Sequence, residues 1–155
     1  MRLLFIQLAL GLFQLDHAVK QAVEDNLALN REYTLGKSPV HIQKLYNHGT
    51  AGGKLNGHMP AIIKSSGVLT LGSVLVFFRL LSEKGRLMQK TGFSLLLGGA
   101  LSNLYDRCRK GYVVDYIRFS TPWKWLSNLV FNLSDFFIFA GAALICLGQT
   151  DHTQR

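Results

Sequence analysis

The sequence predicts an all-α membrane protein with four transmembrane helices and a small extracytoplasmic loop domain between the first two helices. Composition points to this class. Only 17% of the 155 residues are Asp, Glu, Lys or Arg, against about 25% in ordinary soluble domains. The mean hydropathy is +0.19, and the chain contains four long apolar segments. Since the length suits one domain, we interpret residues 1–155 as a single integral membrane domain.

The first apolar segment begins "MRLLFIQLALGLFQL", and we expect a membrane-spanning helix over residues 2–22. Asp16 and Lys20 would lie one helical turn apart near its far end. A positively flanked apolar run is also typical of a signal peptide, so that alternative stays open. No small-residue cleavage pattern follows the run, whereas Asp16 does, and this favours the spanning helix.

Three further apolar segments complete the predicted bundle. Residues 61–81 are long enough to cross a bilayer, which takes about 20 helical residues. Residues 91–105 are shorter and contain Gly98, Gly99, Ala100 and Ser102, small residues that let membrane helices approach closely. We therefore expect an interior helix there. Residues 129–147 form the fourth segment, with another small-residue patch at 140–143.

The loop between the first two spans, residues 23–60, is polar and too long for a tight turn. A small folded unit on the membrane surface is expected there, with "HIQKLYN" as its candidate strand. The link between spans two and three carries Lys84, Arg86 and Lys90, which predicts a cytoplasmic position. Both termini would then be cytoplasmic, although the basic last outer loop weakens the charge asymmetry.

The net charge of +8 does not indicate nucleic-acid binding. The basic residues are scattered, and no recognition motif or aromatic-rich basic stripe accompanies them. An anionic lipid surface is the simpler partner. His41, His48 and His58 are irregularly spaced without a cysteine nearby, so the sequence predicts neither a metal site nor a cofactor.

Two aspartates occupy apolar surroundings. Asp135 lies in the fourth apolar segment, where a carboxylate costs several kcal/mol unless it is paired, hydrated or protonated. Asp115 follows Val113 and Val114 just beyond the third segment. If spans three and four are antiparallel neighbours, the return loop brings Asp115 towards Asp135. A structural ion pair is the alternative role for either residue.

Paired carboxylates in a low dielectric resist double ionisation, so one proton is shared and the pair titrates as a unit. Such a pair can hydrolyse peptides. The ionised member takes a proton from water while the protonated member polarises the scissile carbonyl, and the roles then reverse.

Four polar residues accompany these acids. Asp106 adjoins Arg107 at the end of span three, and local pairing or helix-end hydrogen bonding is its expected structural role. Arg107 is either an interfacial side chain or a guanidinium that holds peptide carbonyls or lipid head groups. Asn103 and Asn132 either join helices or orient a carboxylate.

The stretches "GGALSNLYDRCRKGYVVDYIRF" and "FNLSDFFIFAGAALICLG" resemble the signal peptidase II (lipoprotein signal peptidase) family, whose motifs read GNxxDR, GxVVDF and FNxAD. The resemblance is strong over the last third of the chain. It implies that Asp115 and Asp135 are the catalytic aspartates. It also implies that Asn103, Arg107 and Asn132 support them near the substrate.

Two further elements resemble family motifs. Asp16 and Lys20, in "DHAVK", match a D-x-x-T/S-K element, and Asn47, in "NHG", matches the start of N-x-G-A-A-F. These residues would help to order the substrate and the surface loop. The sequence departs from the family at Val19 and around Gly52, and by small replacements at Ser102, Tyr116 and Ser134.

The resemblance implies an enzyme of the bacterial cytoplasmic membrane that uses no metal. Its substrates would be prolipoproteins carrying a diacylglyceryl-modified cysteine, from which it removes the signal peptide. One alternative is a weakly active or inactive paralogue that binds lipoproteins or lipids through the same groove. Another is an ion or proton carrier that uses the intramembrane acids.

Overall fold

The computed structural model describes residues 1–34, 36–49 and 59–153. Its long helices are α1 (Arg2–Asn26), α2 (Met59–Ser82), α3 (Leu87–Lys110) and α5 (Leu133–Thr153). A short helix, α4 (Lys124–Ser127), lies between the strands β3 (Val113–Phe119) and β4 (Val130–Phe131). Strands β1 (Glu32–Thr34) and β2 (Val40–Asn47) follow α1. The residues around Gly52, where the sequence departs from the family motif, lie outside the described part.

Helix α3 is the interior helix that its small residues predict, and it packs against α1, α2 and α5. A Cβ atom at Gly98 would stand 2.9 Å from the carbonyl oxygen of Ala9 in α1. A Cβ atom at Gly92 would stand 2.8 Å from the carbonyl oxygen of Gly141 in α5. Since real side chains do not approach so closely, these contacts between helices require glycine.

The apolar surfaces of the outer helices face outward. Helix α2 exposes Leu69, Leu71, Leu75 and Phe78 by 56–72% each. Within the described residues, α1 and α2 are long and apolar enough to cross a membrane, and Leu133–Gln149 is a shorter apolar stretch. Exposed apolar faces of this extent are expected where lipid surrounds the protein.

The four strands form one antiparallel sheet in the order β1-β2-β3-β4. The predicted strand "HIQKLYN" corresponds to β2. The expectation that the small unit belongs to the loop between the first two helices is incomplete, because β3 and β4 come from the connection between α3 and α5. Val114 and Tyr116 of β3 pack on Val23 of α1, which anchors the sheet to the end of the bundle.

The helix boundaries differ from the predicted spans at several ends. Helix α1 continues to Asn26, and α3 extends over Leu87–Lys110 instead of 91–105. At its C-terminal end, α3 stops at Gly111, which adopts a left-handed conformation and donates its N–H to the Arg107 oxygen. Helix α5 begins at Leu133 rather than 129, because Val130 and Phe131 pair with β3.

Candidate active site

Asp135 lies in the first turn of α5, where its own backbone geometry fixes it. The Asp135 N–H donates to Asn132 Oδ1 at 3.1 Å, and the Asn132 N–H donates to Asp135 Oδ2 at 3.0 Å. This reciprocal pair is a capping box, in which two otherwise unpaired N–H groups at the helix start are satisfied. The local sequence "NLSD" therefore both begins the helix and orients the carboxylate.

Asp115 lies on β3, opposite Leu45 of β2. Its side chain is buried, and both oxygens accept hydrogen bonds. Asn47 Nδ2 donates to Oδ2 at 2.9 Å, and Asn132 Nδ2 donates to Oδ1 at 2.7 Å. The carboxylate is thus held by an amide from β2 and another from the start of α5.

Asn132 connects the two acids, since its side-chain amide donates to Asp115 and its backbone N–H donates to Asp135. Both acids line one cavity of about 130 Å³. Six of the eight residues predicted for the site border this cavity: Asn47, Asn103, Arg107, Asp115, Asn132 and Asp135. The structure therefore brings together residues from β2, α3, β3 and the start of α5.

The electrostatic environment favours a proton on Asp115. Burial, followed by the negative charge of Asp135, raises the pKa of Asp115 to about 7, while the bonds from Asn47 and Asn132 act in the opposite direction. Near neutral pH the Asp115 carboxyl therefore retains its proton in a substantial fraction of molecules. Such a group can donate a hydrogen bond that an ordinary aspartate cannot.

Arg107 and Asn103 form the α3 side of the cavity. Asn103 Nδ2 donates to Asp135 Oδ1 at 3.1 Å, and Arg107 donates through one terminal nitrogen to the Asn103 carbonyl at 3.4 Å. The buried Nε of Arg107 has no hydrogen-bond partner among the described residues. The guanidinium therefore retains donors beside the two acids.

Asp16 and Lys20 do not line the cavity but lie directly behind its wall, where both are fully buried. Lys20 Nζ is 2.8 Å from Asp16 Oδ2 and donates to Asn103 Oδ1 at 2.8 Å. Asp16 also accepts a hydrogen bond from the Ser134 N–H at 3.0 Å. The pair thus connects α1 to Asn103, which hydrogen-bonds Asp135, and to Ser134, which precedes Asp135 in the chain.

Asp106 has the structural ion pairing expected for it, but its partners are Lys20 and Lys110 rather than the adjacent Arg107. The Asp106 oxygens lie 3.2 Å from Lys20 Nζ and 3.3 Å from Lys110 Nζ. Successive residues on a helix point about 100° apart, whereas Lys110 lies one turn away on the same side. Asp106 is therefore part of the ionic cluster behind the site.

Sequence reasoning missed two groups of residues. The serines that replace the family's small residues, Ser102 and Ser134, both donate their hydroxyl groups to Asp16 Oδ2. The available signal was that a hydroxyl residue replaces a small residue in two motifs of the same chain, which could have indicated a common hydrogen-bond partner. The apolar walls of the cavity, Val113, Val130, Phe131 and Phe139, carried no signal that separates them from ordinary core residues.

The described residues contain no group of three His, Cys, Asp or Glu side chains that could hold a metal ion. The groups at the cavity are carboxylates, amides and a guanidinium, which suit hydrogen bonding and proton transfer.

The fold is that of a helical membrane protein with a small sheet at one end of the bundle. Two solved structures, both described as a bacterial membrane enzyme studied by the in meso method, share it. One has a TM-score of 0.78 at 23% identity and covers 96% of this chain and 88% of its own. The other has a TM-score of 0.76 at 23% identity, covering 94% and 91%.

The family model described as signal peptidase (SPase) II matches residues 8–150, and the chain belongs to this family of membrane proteases. A lipoprotein signal peptidase of Mesorhizobium japonicum is 34% identical over 142 residues, covering 92% of this chain and 82% of the relative. One of Clostridioides difficile is 31% identical over 145 residues, covering 94% and 93%.

Proposed function

We propose that the chain is an intramembrane aspartic endopeptidase that removes the signal peptide from diacylglyceryl-modified bacterial prolipoproteins. Asp115 and Asp135 are its catalytic pair. The observation that carries this proposal is the single cavity in which Asn132 hydrogen-bonds both carboxylates. The names of the relatives support the substrate class, because they are lipoprotein signal peptidases.

The reaction needs one proton on the pair. Protonated Asp115 donates to the scissile carbonyl oxygen, while ionised Asp135 takes a proton from water as the water oxygen bonds to the carbonyl carbon. The resulting diol collapses when one hydroxyl returns its proton to Asp115. Asp135 then protonates the departing nitrogen as the C–N bond breaks. One water is consumed, and the pair regains its initial protonation state.

The surrounding residues have supporting roles in this proposal. Asn47, Asn103 and Asn132 hold the carboxylates in orientation, since each amide donates to one of them. Arg107 offers its free donors to the substrate backbone. Asp16 and Lys20 fix the first turn of α5 through Ser134 and Asn103.

The proposed setting is the bacterial cytoplasmic membrane, with four spans formed by α1, α2, α3 and α5 in a single integral membrane domain. The sheet and the acids would lie at the outer surface, and both termini and the Lys84 loop in the cytoplasm. In this arrangement the lipid chains of the substrate remain in hydrocarbon while the peptide reaches the acids.

The proposal is tested with the purified chain and a synthetic precursor whose cysteine carries a diacylglyceryl group. We expect cleavage immediately before the modified cysteine, and much slower cleavage of the same peptide with an unmodified cysteine. The fragments are identified by mass spectrometry. Binding of the modified peptide without hydrolysis would overturn the proposal and support the inactive lipoprotein-binding alternative.

A further inference from the structure

A second cavity, larger than the one around the aspartates, lies at the opposite end of the bundle. It is formed where α1 begins, α2 ends and α3 begins, and its volume is about 560 Å³. We call it the distal cavity. Its walls include Arg2, Phe5, Leu81, Lys84, Leu87 and Lys90. Volumes of this order accommodate small ligands.

Basic side chains dominate the charge of the distal cavity. Arg2, Lys84 and Lys90 line it, with Glu83 as the acidic lining residue. Glu83 is already compensated, because its carboxylate forms an ion pair with Arg86 at 2.8 Å. The cavity therefore has a positive charge that its own residues leave unbalanced.

Lys90 is the most unusual of these residues. Its side chain is only 6% exposed, and an ammonium group so deeply buried normally has a paired anion. Its Nζ donates a hydrogen bond to the backbone oxygen of Glu83 at 2.6 Å. An ammonium group has three donors, so this bond leaves capacity to bind an anion at the cavity.

The start of α3 adds to this positive potential. Arg86 is the N-cap residue, in a left-handed conformation, and makes no capping hydrogen bond through its side chain. The first turn of α3 contains no acidic residue. The partial positive charge of the helix N-terminus is thus not offset locally. By itself this would not define a site, but here it coincides with Lys90.

The apolar walls identify the kind of anion. Phe5, Leu81 and Leu87 border the same cavity as the basic residues, and Leu87 is 56% exposed. The surrounding surfaces of α1 and α2 are apolar and of spanning length. A ligand with a phosphate group and attached acyl chains satisfies both features, whereas a free phosphate uses only the basic half.

We propose that the distal cavity binds the head group of an anionic phospholipid, with its phosphate beside Lys90, Arg2 and Lys84 and its glycerol and upper acyl carbons against Phe5 and Leu81. The site is separate from the aspartate cavity and does not depend on which peptide bond the protein cleaves. In the membrane it would bind lipid from the leaflet on the side of the Lys84 loop.

The test measures thermal unfolding of the whole protein in detergent micelles at fixed ionic strength. Phosphatidylglycerol is titrated as the anionic probe, with phosphatidylcholine and inorganic phosphate in parallel. We expect a saturable rise in Tm with phosphatidylglycerol alone. Equal effects of phosphatidylcholine would show that charge is irrelevant, and equal effects of inorganic phosphate would exclude lipid as the ligand. Either result would overturn the proposal.

Variants locate the effect. Lys90→Met, which keeps the length of the side chain, should raise the half-saturating phosphatidylglycerol fraction roughly tenfold, as expected from losing one charge-assisted contact. The double variant Arg2→Gln with Lys84→Gln, which removes two charges, should raise it at least as much. The control Lys37→Gln removes an exposed charge at the sheet end and should leave it unchanged. If Lys90→Met does not fold, the double variant decides. A wild-type response in the double variant would refute the proposed site.

Discussion

At the residue scale, Asn132 explains how two acids are kept at one buried place. Its side-chain amide donates to Asp115, and its backbone joins Asp135 in the capping box. Each carboxylate also accepts from a second amide, Asn47 for Asp115 and Asn103 for Asp135. Because buried polar groups are costly without partners, these hydrogen bonds offset part of the cost of burying the two carboxylates.

The pH dependence of cleavage reports the proton on this pair. Activity should fall at high pH as Asp115, whose pKa is raised to about 7 by burial and by Asp135, loses its proton. It should also fall at low pH, when both acids are protonated. The measurement is the cleavage rate of the lipidated precursor across the pH range. A flat profile would contradict the two-acid mechanism.

Asn47→Ala should move the high-pH fall in activity to higher pH. The Asn47 bond lowers the pKa of Asp115, so its removal favours the protonated form and extends the active range upward. The position of the fall is measured independently of the maximal rate. Asn26→Ala, at an exposed amide that bonds its own helix, is the control. A fall at unchanged or lower pH would show that Asn47 does not tune Asp115.

Asp16→Asn should destabilise the protein strongly. The Asp16 carboxylate is fully buried against Lys20, and removing one member of a buried ion pair costs roughly 3–5 kcal/mol. Chemical unfolding in detergent measures the change. Asp25→Asn, which alters an exposed carboxylate bonded to Gln21, should cost under about 1 kcal/mol. Similar losses in the two variants would argue against a structural role for the cluster.

At the element scale, the contact between α3 and α5 determines where Asp135 stands. A Cβ atom at Gly99 would collide with the carbonyl oxygen of Ser134, the residue before Asp135. Gly92 and Gly141 make the corresponding close approach further along the same two helices. The glycines therefore set the distance between the helix that carries Asn103 and the helix that carries Asp135.

Alanine at these glycines should have graded effects. Gly92→Ala and Gly99→Ala should both lower Tm, because each added methyl group meets backbone atoms. Gly99→Ala should lower kcat more, since it displaces the first turn of α5. The control is Gly72→Ala in α2, where nothing lies within 4 Å and a gain of about 0.5–1 kcal/mol is expected. Equal kcat values for the two α3 variants would refute the claim that the contact between Gly99 and Ser134 positions Asp135.

The sequence predicted the long helices better than the sheet. Apolar length and small residues identified α1, α2 and the interior character of α3. The run "VVDYI" was recognised as apolar but not as a strand, because a short buried run has no period that separates strand from helix. The ionic contacts of Asp106 were also missed, since they depend on how α1 and α3 are rotated against each other, which sequence spacing does not define.

At the scale of the whole molecule, the two ends of the bundle differ. The sheet and the aspartates share one end with Trp123 and Trp125, which are 64% and 67% exposed and suited to a membrane interface. The distal cavity and the loop with Lys84 and Arg86 occupy the other. This difference between the two ends supports the orientation proposed above.

The orientation is tested by labelling from one side of the membrane. In a variant with Cys108 and Cys146 changed to serine, Lys84→Cys and Lys124→Cys introduce one thiol at each end. An impermeant maleimide added to intact spheroplasts should label only the Lys124→Cys protein, and detergent should make both react. Labelling of both thiols in intact spheroplasts would contradict the proposed orientation.

The most direct test of the central claim compares cleavage of the lipidated precursor by Asp115→Asn, Asp135→Asn and the control Asp25→Asn, each verified as folded by its Tm. We expect each of the first two changes to reduce the rate by roughly 10²–10⁴-fold or more, since each removes a proton-transfer group. The control should retain wild-type activity. Wild-type rates in folded Asp115→Asn and Asp135→Asn proteins would contradict the account.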